Sequence, residues 1–404
     1  MTNSSDPTKI LIVSQHFPPD KSGNASRIYD ISVNLSLDDV DVKVLAPFPS
    51  FPHGNFEKKN KIIKRKRINS NLTLINIFAW QPSIHDPGFI SRILYYMTFP
   101  IHAVFWGFRY SKNYDVIITS SPPIFTAIPG LFVNLFFKKK WIFDCRDMWI
   151  EASISLGFIK KGSFTEKISK KFLFYCLNKA DIIFVTTDGI KDKLFCNYKI
   201  NKPIKIVPNG VDTQVFYPIS TNKCNQIIYS GNVGHAQDLE NCILAMKNVT
   251  KNHDLKLIIV GDGDIKSRLQ EIVRVNGMEQ SVIFKGLVSR KEIPKMISES
   301  LIGLAPLKKL ESLDYAAPTK VYEYMACKIP FLGCGAGEIE RIAKDSKAGI
   351  ISDNTPESIA FNICELIQNR ELREKMGQNG LEYVKNNYDR KTIASKVKKI
   401  TEGL

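Results

Sequence analysis

The chain has 404 residues, of which 44% are hydrophobic and 24% charged, a balance that excludes a disordered or fibrous protein. Its length exceeds that of one ordinary core and predicts two domains of roughly 200 residues each. Lys and Arg outnumber Asp and Glu by 27 to 16 in residues 1–200 and by 29 to 24 in residues 201–404, so the net charges of the two halves are +11 and +5. We therefore expect the first half to bind an anionic partner.

Short apolar runs that end in turn residues alternate with stretches of helical spacing along the chain. In the first half the predicted strands are Lys9–Ser14, Asp41–Leu45, Tyr114–Thr119, Lys140–Asp144, Asp181–Thr186 and Ile204–Pro208. In the second half they are Gln226–Gly231, Leu255–Gly261, Ser281–Gly286, Ile302–Pro306, Pro330–Leu332 and Ala348–Ile351. This alternation predicts an α/β protein with two Rossmann-like, doubly wound parallel sheets.

Pro, Gly and polar residues cluster between Pro208 and Asn225 and indicate a domain boundary. We expect an N-terminal domain of residues 1–208, a C-terminal domain of residues 209–384, and a helix at about 385–404 that packs back on the first domain. The two sheets are expected to face each other across a cleft, because such sheets bind ligands beyond the carboxyl ends of their strands.

The eight cysteines lack the close spacing of zinc sites or disulfide scaffolds, and the polar segment Met1–Lys9 lacks the apolar core of a signal peptide. Both features predict reduced thiols in the cytoplasm.

The segment Pro318–Ala326 carries Lys320 and Glu323 three residues apart, just before an apolar run. On a helix this spacing puts both side chains on one face near the N-terminus. Since a helix N-terminus offers free N–H groups and a positive dipole end, Lys320 can reinforce a diphosphate site while Glu323 hydrogen-bonds a sugar hydroxyl. The alternative is an amphipathic helix on which the two form a solvated pair.

Five further segments follow a fixed order along the chain: Phe17–Arg27, Phe143–Trp149, Pro208–Asp212 with Phe216, Ser230–Gln237 and Val260–Gly263. Together with Pro318–Ala326 they resemble the motifs of GT-B glycosyltransferases of the large retaining family 4, over nearly the whole chain. The second and fourth segments are similar to a narrower group that builds surface polysaccharides such as O-antigen and colanic acid. That resemblance implies transfer of a sugar such as fucose or N-acetylfucosamine from a UDP-sugar to a polyprenyl-diphosphate-linked saccharide.

Two positions depart from the family pattern. The opening loop has Gly23-Asn24 where the family has two glycines, and we expect Asn24 to tolerate the left-handed backbone that glycine allows. Tyr315 replaces the first of two glutamates eight positions apart, of which Glu323 is the second, and we interpret this change as a trait of the narrower group.

The resemblance implies a nucleotide-sugar site formed mainly by the second domain, with Gly23 contributed by the opening loop of the first. Its candidate residues are Gly23, Gly231, Asn232, Gly234, Gly261, Lys320, Glu323 and Glu338. Retaining transfer without a covalent adduct depends on stabilising the leaving diphosphate, which we assign chiefly to Lys320, because Asn232 and His235 replace cations found in many relatives. Glu323 would hold the ribose hydroxyls and Glu338 the donor sugar. For the glycines, an ordinary tight turn between strand and helix is the alternative.

Asp144, Arg146 and Asp147 form a charged cluster after a buried strand, where charges have few structural reasons to occur. Asp147 could position or deprotonate the acceptor hydroxyl, and Arg146 could orient it or meet an acceptor phosphate, so both are catalytic candidates with Lys320. Residues expected to contact the acceptor are Asp144, Asn24 and His16. The alternative is a salt-bridge network between the domains.

Two Asp-x-Asp triplets, at residues 39–41 and 262–264, could suggest a metal site. The first precedes a strand and the second occupies a turn, and GT-B enzymes generally need no metal. We therefore predict neither a metal nor another cofactor.

Residues 88–109 are apolar and aromatic, but Pro100 and His102 interrupt them and the stretch between Arg92 and Arg109 is shorter than the ~20 residues of a membrane span. A helix lying in the membrane interface is predicted, with a core helix as the alternative. The basic clusters at residues 58–67 and 160–171 would attract anionic lipid headgroups. No zinc knuckle, helix-turn-helix or RNP-type motif supports nucleic-acid binding.

The sequence thus predicts a retaining hexosyl- or N-acetylhexosaminyl-transferase that lies peripherally at the inner face of the plasma membrane. Two other hypotheses remain open: a nucleotide-sugar epimerase of the same fold, and a membrane-docked scaffold whose nucleotide site is degenerate.

Overall fold

The computed structural model describes residues 8–20, 22–51, 53–54, 56, 61–82, 89–155, 157 and 159–404. The chain forms two compact units: unit 1 is Met1–Pro208 with Arg390–Leu404, and unit 2 is Asn209–Asp389. Unit 2 therefore continues past the expected limit at residue 384. The reason is local, because Asp389 accepts hydrogen bonds from the hydroxyl (2.8 Å) and the amide (3.3 Å) of Thr213 within unit 2.

Unit 1 is built on one sheet with helices on both faces. Its strands are β1 Lys9–Ser14, β2 Asp41–Pro47, β3 Ile63–Arg67, β4 Leu72–Ile77, β5 Val116–Ser121, β6 Lys140–Cys145, β7 Ile182–Val185 and β8 Ile204–Ile206. Its helices are α1 Gly23–Leu37, α2 Phe89–Tyr110, α3 Ala127–Phe137, α4 Trp149–Ser155, α5 Phe164–Lys179, α6 Asp188–Tyr198 and, after unit 2, α14 Arg390–Glu402.

Among the described residues of unit 1 the strand order is β3-β4-β2-β1-β5-β6-β7-β8, and every neighbouring pair is parallel except β3 with β4. The parallel strands read as buried apolar runs because helices cover both faces. The sequence pattern did not predict β3 or β4. The β3 strand carries four exposed cationic side chains, which is how many proteins protect a sheet edge from pairing with another chain.

The helix α14 completes the core of unit 1. Its side chains Ile393, Ala394 and Val397 are buried in the same apolar cluster as β1 and β2. Arg390, at its first turn, forms an ion pair with Asp30 of α1, and both side chains are buried. Residues 390–404 thus pack on the first unit, while the expected start at about 385 falls inside the preceding helix.

The apolar segment that ends at Arg109 forms the helix α2, whose side chains Tyr95, Phe99 and Ala103 are fully buried. This inner face belongs to the core of unit 1. In the described part of the chain, no helix combines the length and the apolar character that a membrane span requires.

Unit 2 is a second layered α/β unit. Its strands are β9 Gln226–Ser230, β10 Lys256–Val260, β11 Val282–Gly286, β12 Ile302–Ala305, β13 Phe331–Cys334 and β14 Gly349–Ser352. Its helices are α7 Leu239–Val249, α8 Lys266–Val275, α9 Ile293–Glu299, α10 Thr319–Ala326, α11 Glu338–Ser346, α12 Pro356–Gln368 and α13 Arg370–Asn387.

The sheet of unit 2 is parallel throughout, in the order β11-β10-β9-β12-β13-β14. Buried side chains form one apolar cluster with α7 and α12 and another with α10 and α11. Both predicted parallel sheets are confirmed. The strand order reverses direction beside β9, and this is the point at which such sheets bind ligands.

Candidate functional site

Two tight glycine turns follow β9 and β10 in unit 2. Gly231 has φ +139° and Gly261 has φ +136°, a region that side chains rarely adopt. A Cβ on Gly261 would lie 1.8 Å from the carbonyl oxygen of Gly231, and the Gly231 amide donates to the Val260 carbonyl (2.9 Å). The two turns are therefore packed backbone to backbone, and only glycine fits at Gly261.

Replacing Gly261 with alanine should destabilise unit 2 by roughly 2–4 kcal/mol, because strain in φ adds to a backbone clash. Gly277→Ala is the matched control, since Gly277 has φ +63° but nothing within 4 Å of a Cβ, so only the strain applies. Thermal and urea unfolding of both variants would measure the difference. Equal losses of stability would contradict the packing of the two turns.

The Lys320 side chain lies against the Gly231 turn. It extends from the first turn of α10, and its Nζ is 3.8 Å from the centroid of the Tyr229 ring. A Cβ on Gly231 would be 3.4 Å from the same Nζ, so the glycine leaves room for the ammonium group. Burial lowers the pKa of Lys320 to about 7, while the charge of Glu323 acts to raise it. The site thus holds a cation that lacks full solvation and gains from an anionic ligand.

The helix α10 is fixed to the sheet by Tyr324. Its hydroxyl accepts a hydrogen bond from the amide of Ser230 (3.0 Å) and donates one to the carbonyl of Leu304 (3.0 Å). The ring lies over Gly303, where a Cβ would be 2.3 Å away. These contacts place the start of α10, and with it Lys320, at the carboxyl ends of β9 and β12.

The other predicted donor residues occupy different surroundings. Asn232 is exposed beside the same turn, and its carbonyl accepts a hydrogen bond from Tyr229, whereas Gly234 is buried under the Asn232 side chain. Glu323 is half-buried on α10. Glu338 is buried at the start of α11, where its carboxylate accepts two hydrogen bonds from Arg341 (2.7 and 3.0 Å). The contact of Glu338 with the donor sugar stays a prediction. Such a contact would compete with the ion pair between Glu338 and Arg341.

In unit 1, Asp144 ends a buried strand and is enclosed by polar partners. Its carboxylate accepts a hydrogen bond from the Ser120 hydroxyl (2.9 Å) and lies 3.4 Å from the Arg27 guanidinium and 3.9 Å from that of Arg146. Arg27 also donates to the Val207 carbonyl (2.7 Å). Both oxygens of Asp144 are thus occupied within unit 1, which favours a role in positioning Arg146 over the predicted contact with the acceptor.

Asp147 has a different environment from Asp144. Its Oδ1 is buried and has no hydrogen-bond partner in the described part of the chain, and the same holds for Oε2 of Glu151 one helical turn later. Burial raises the pKa of Asp147 to about 6; the Arg146 charge opposes this shift, and the charges of Asp144 and Glu151 add to it. A carboxylate with an unused oxygen and a pKa near neutrality suits a group that accepts a proton.

Arg146 is held in place by the ends of two other strands. Its Nε donates to the Ser121 carbonyl (2.7 Å), and its own carbonyl accepts from the Thr186 hydroxyl (3.0 Å). Burial lowers its pKa, and the neighbouring aspartates Asp144 and Asp147 act against that shift. The guanidinium is therefore a fixed cation at the carboxyl ends of β5 and β6.

His16 follows β1 and forms a dyad with Asp20. The ring Nδ1 is 2.9 Å from one carboxylate oxygen of Asp20, whose other oxygen accepts from the amides of Ser50 (2.8 Å) and Phe51 (3.0 Å). Because a carboxylate accepts, Nδ1 donates to Asp20, and Nε2 is the ring nitrogen not used by this pair. Among the described residues Nε2 has no hydrogen-bond partner. The imidazole is thus held in place by Asp20, and Nε2 is available to a ligand.

Asn24 does not adopt the left-handed backbone that it was expected to tolerate. Gly23 and Asn24 begin the helix α1, Ser22 caps it by accepting from the Ala25 amide (3.1 Å), and neither residue has a positive φ. Asn24 is instead buried, with both polar atoms of its amide lacking a partner in the described residues. The helix start therefore presents an unused amide next to its free N–H groups.

Several residues of these clusters were not assigned roles from the sequence, namely Arg27, Ser120, Tyr229, Tyr324 and Asp20. All but Asp20 act through a partner distant in sequence, so no local spacing identifies them. Asp20 lies four residues after His16, and that spacing could have identified the pair. A strand that ends in Ser120-Ser121 was the nearest available signal, since polar residues at a buried strand end are uncommon.

Within the described residues, no three His, Cys, Asp or Glu side chains group as metal ligands. In the second Asp-x-Asp triplet, Asp262 accepts from the Gly263 amide (2.9 Å) and pairs with Lys266 (3.3 Å). The absence of a metal stays a prediction.

Comparison with known proteins defines the activity. The model of Glycosyltransferase Family 4 matches residues 22–215, and that of Glycosyl transferases group 1 matches residues 215–383. The sucrose-phosphate synthase of Thermosynechococcus elongatus superposes with a TM-score of 0.76 at 14% identity, over 98% of each chain. The chain is a GT-B glycosyltransferase.

Similarity to individual glycosyltransferases extends over most of the chain. The uncharacterized glycosyltransferase MJ1069 of Methanocaldococcus jannaschii is 24% identical over 98% of both chains. WcaI of Escherichia coli, whose name assigns it to colanic acid biosynthesis, is 22% identical over 79% of this chain and 81% of its own length. HepE of Anabaena, in complex with UDP and glucose, has a TM-score of 0.71 at 14% identity, over 98% of this chain and all of its own.

Proposed function

We propose that this glycosyltransferase moves a sugar from a UDP-sugar to a polyprenyl-diphosphate-linked saccharide, with retention of anomeric configuration. The observation that carries the proposal is the position of Lys320, a cation with a lowered pKa at the start of α10 and against the Gly231 turn. A nucleotide diphosphate is the leaving group that this arrangement fits, since both the ammonium and the helix start stabilise negative charge.

The choice of UDP is supported by HepE, whose structure contains UDP. The Gly231 turn leaves exposed backbone at the carboxyl end of β9, where a pyrophosphate can approach the chain closely. Glu323, one turn after Lys320, is the candidate for the ribose hydroxyls. Retention rests on the resemblance to family 4.

The acceptor chemistry is assigned to unit 1. Asp147 has an unused oxygen and a pKa near neutrality, so it can take the proton of the acceptor hydroxyl. Arg146 and the start of α1 with Asn24 offer cationic and N–H groups to an acceptor diphosphate. His16 offers Nε2 for a hydrogen bond with a saccharide hydroxyl.

The place in metabolism is proposed from similarity. WcaI bears a name from colanic acid synthesis, and the residues at 143–149 and 230–237 resemble the fucosyl and N-acetylfucosaminyl transferases of such polysaccharides. Saccharides of this kind are built on lipid carriers, so we place the protein peripherally at the inner face of the plasma membrane.

UDP release by purified protein tests this function. We expect release from one UDP-sugar of a panel to rise at least tenfold when a lipid extract with polyprenyl-linked saccharides is added, with labelled sugar in the organic phase. The anomeric configuration of that product, read by NMR, tests retention.

Other outcomes would overturn the proposal. Sugar isomerisation without lipid would favour the epimerase of the same fold. A protein that neither binds UDP nor releases it from any donor would support the scaffold. Lipid-dependent release of a different nucleotide would reject UDP and retain the transferase.

A further inference from the structure

The helix α2 is apolar on two opposite sides. Tyr95, Phe99 and Ala103 form the buried side, whereas Ile101 and Phe105 on the other side are 57% and 64% exposed. A surface helix normally turns polar residues outward. The outer side of α2 is therefore unusual for a surface that meets only water.

The helix α3 continues this exposed apolar surface. It lies close beside α2, since a Cβ on Gly107 would be 3.2 Å from Val133, and the ring of Phe108 is 5.8 Å from that of Phe136. Phe132 and Phe136 stack at 5.9 Å and are 39% and 67% exposed. We call the surface formed by Ile101, Phe105, Phe108, Phe132 and Phe136 the aromatic face. It joins two neighbouring helices into one patch, and such patches on isolated proteins commonly mark contact sites.

Cations border the aromatic face and acidic groups are nearly absent from this part of the chain. Residues 89–143 contain six Lys or Arg and one acidic residue, Asp115. The carboxylate of Asp115 accepts a hydrogen bond from the Lys9 amide (2.9 Å) and is engaged there. Arg109 is in the last turn of α2, and residues 138–140, all lysines, follow α3 directly. Of these lysines, Lys140 pairs with Asp181 (3.9 Å).

The basic edge strand β3 adjoins the same end of α2. The Arg65 guanidinium lies 5.6 Å from the centroid of the Tyr110 ring at the last turn of the helix. Arg67, which shares the face of β3 with Arg65, is exposed as well. An apolar centre with a cationic border is thus formed by three elements, α2, α3 and β3.

We propose that the aromatic face docks unit 1 on a lipid bilayer that carries anionic headgroups. Phe and Ile side chains enter the boundary between headgroups and acyl chains, while Lys and Arg reach the phosphates. This inference rests on the proposed function in one respect: a polyprenyl-linked acceptor would be met at that surface. The basic segment at 160–171 is not needed for it.

The border of cations argues for a bilayer over other occupants. A second copy of the chain would bring two cationic borders together, and their repulsion opposes pairing. A nucleic-acid duplex would neutralise the cations but leave Ile101, Phe105 and Phe136 without an apolar partner, because its bases are stacked inside the double helix. A bilayer satisfies both parts of the surface at once.

The test is co-sedimentation of the full chain with phosphatidylcholine vesicles, with and without phosphatidylglycerol, in the absence of any sugar substrate. We expect Phe105→Ser with Phe136→Ser to lower the partition coefficient on both vesicle types by at least tenfold. Phe361→Ser is the matched control, because Phe361 is 70% exposed on α12 of unit 2, and it should bind as the unchanged chain does.

A charge variant separates the two contributions. Arg109→Gln with Lys139→Gln should weaken binding to vesicles that contain phosphatidylglycerol about tenfold and leave phosphatidylcholine binding unchanged, and salt should reproduce that loss. Thermal melts would show that every variant is folded as well as the control.

Several results would overturn the docking surface: equal binding of the double serine variant and the control, no preference for phosphatidylglycerol, or a serine variant that only abolishes dimerisation or nucleic-acid binding. The proposed function is judged separately, because UDP release with detergent-dispersed acceptor does not require vesicles. Binding without transfer would reject the function alone, and transfer without binding would reject the docking alone.

Discussion

Replacing Lys320 with alanine should lower kcat by about 100- to 1,000-fold, the loss expected when one preorganised group that stabilises developing charge is removed. The ammonium group lies over Tyr229 and beside Gly231, where the diphosphate is proposed to depart. Since the leaving group is more anionic in the transition state than in the bound donor, kcat should fall more than KM rises. Steady-state release of UDP measures both constants.

The control for this variant is Lys344→Ala, which removes an exposed lysine from α11 of the same unit. It should leave both constants unchanged. A Lys320→Ala variant that retains more than about a tenth of the wild-type kcat would contradict the proposed role.

Because the pKa of Lys320 is lowered, the affinity of the protein for UDP should depend on pH. Burial lowers the pKa of Lys320 to about 7 in the protein without UDP. Below this pH the ammonium is already present, whereas above it the protein must take up a proton as the diphosphate binds, so Kd for UDP should rise by up to about tenfold per pH unit. Lys320→Arg keeps its charge, so its profile should show only the ionisation of UDP itself and serves as the reference. Calorimetric titration of both proteins from neutral to alkaline pH makes the comparison.

Asp147→Asn should lower kcat by about 100- to 10,000-fold, the range for loss of a positioned general base. The pKa of Asp147 is raised to about 6 by burial, so the basic form predominates above that pH. The wild-type profile of kcat/KM should therefore rise to a plateau through pH 6, and this limb should be absent from the residual activity of the variant. Asp192→Asn, on the exposed face of α6, is the control and should keep both the rate and the profile.

The same substitution should stabilise unit 1 at neutral pH. The folded pKa of Asp147 exceeds the ordinary value of 3.8, so the ionised form opposes folding: the penalty is absent below 3.8, grows as the pH rises towards 6 and is complete above it. Asparagine carries no charge and should add at most about 3 kcal/mol at pH 7. A variant that loses activity and gains thermal stability would identify a functional residue, whereas loss of both would indicate a structural one.

The sequence predicted the two parallel sheets because their strands are buried on both faces and read as continuous apolar runs. The sequence did not predict β3, because four of its five residues are exposed cations and the strand shows no apolar pattern. The long segment before Arg109 was predicted to be either an interfacial or a core helix. The structure shows why periodicity could not decide, since α2 has apolar residues on both its buried and its exposed sides.

The sequence predicted best which candidate residues lie close together where they share one element. Lys320 and Glu323 belong to one helix, and a spacing of three residues was enough to put them together. The neighbours that determine the state of each group lie elsewhere: Tyr229 beneath Lys320, and Ser120 and Arg27 around Asp144. Their contacts arise from strand order, which local spacing does not contain.

The return of residues 390–404 to unit 1 makes that unit discontinuous in sequence. The whole of unit 2 precedes Ile393, Val397 and Arg390, the partner of Asp30, along the chain. A ribosome therefore releases every residue of unit 2 before unit 1 can close its core, although unit 1 begins first. Until then the surface of α1 that receives α14 remains uncovered in the nascent chain. During synthesis, unit 1 is thus the first unit to begin and the last to complete its fold.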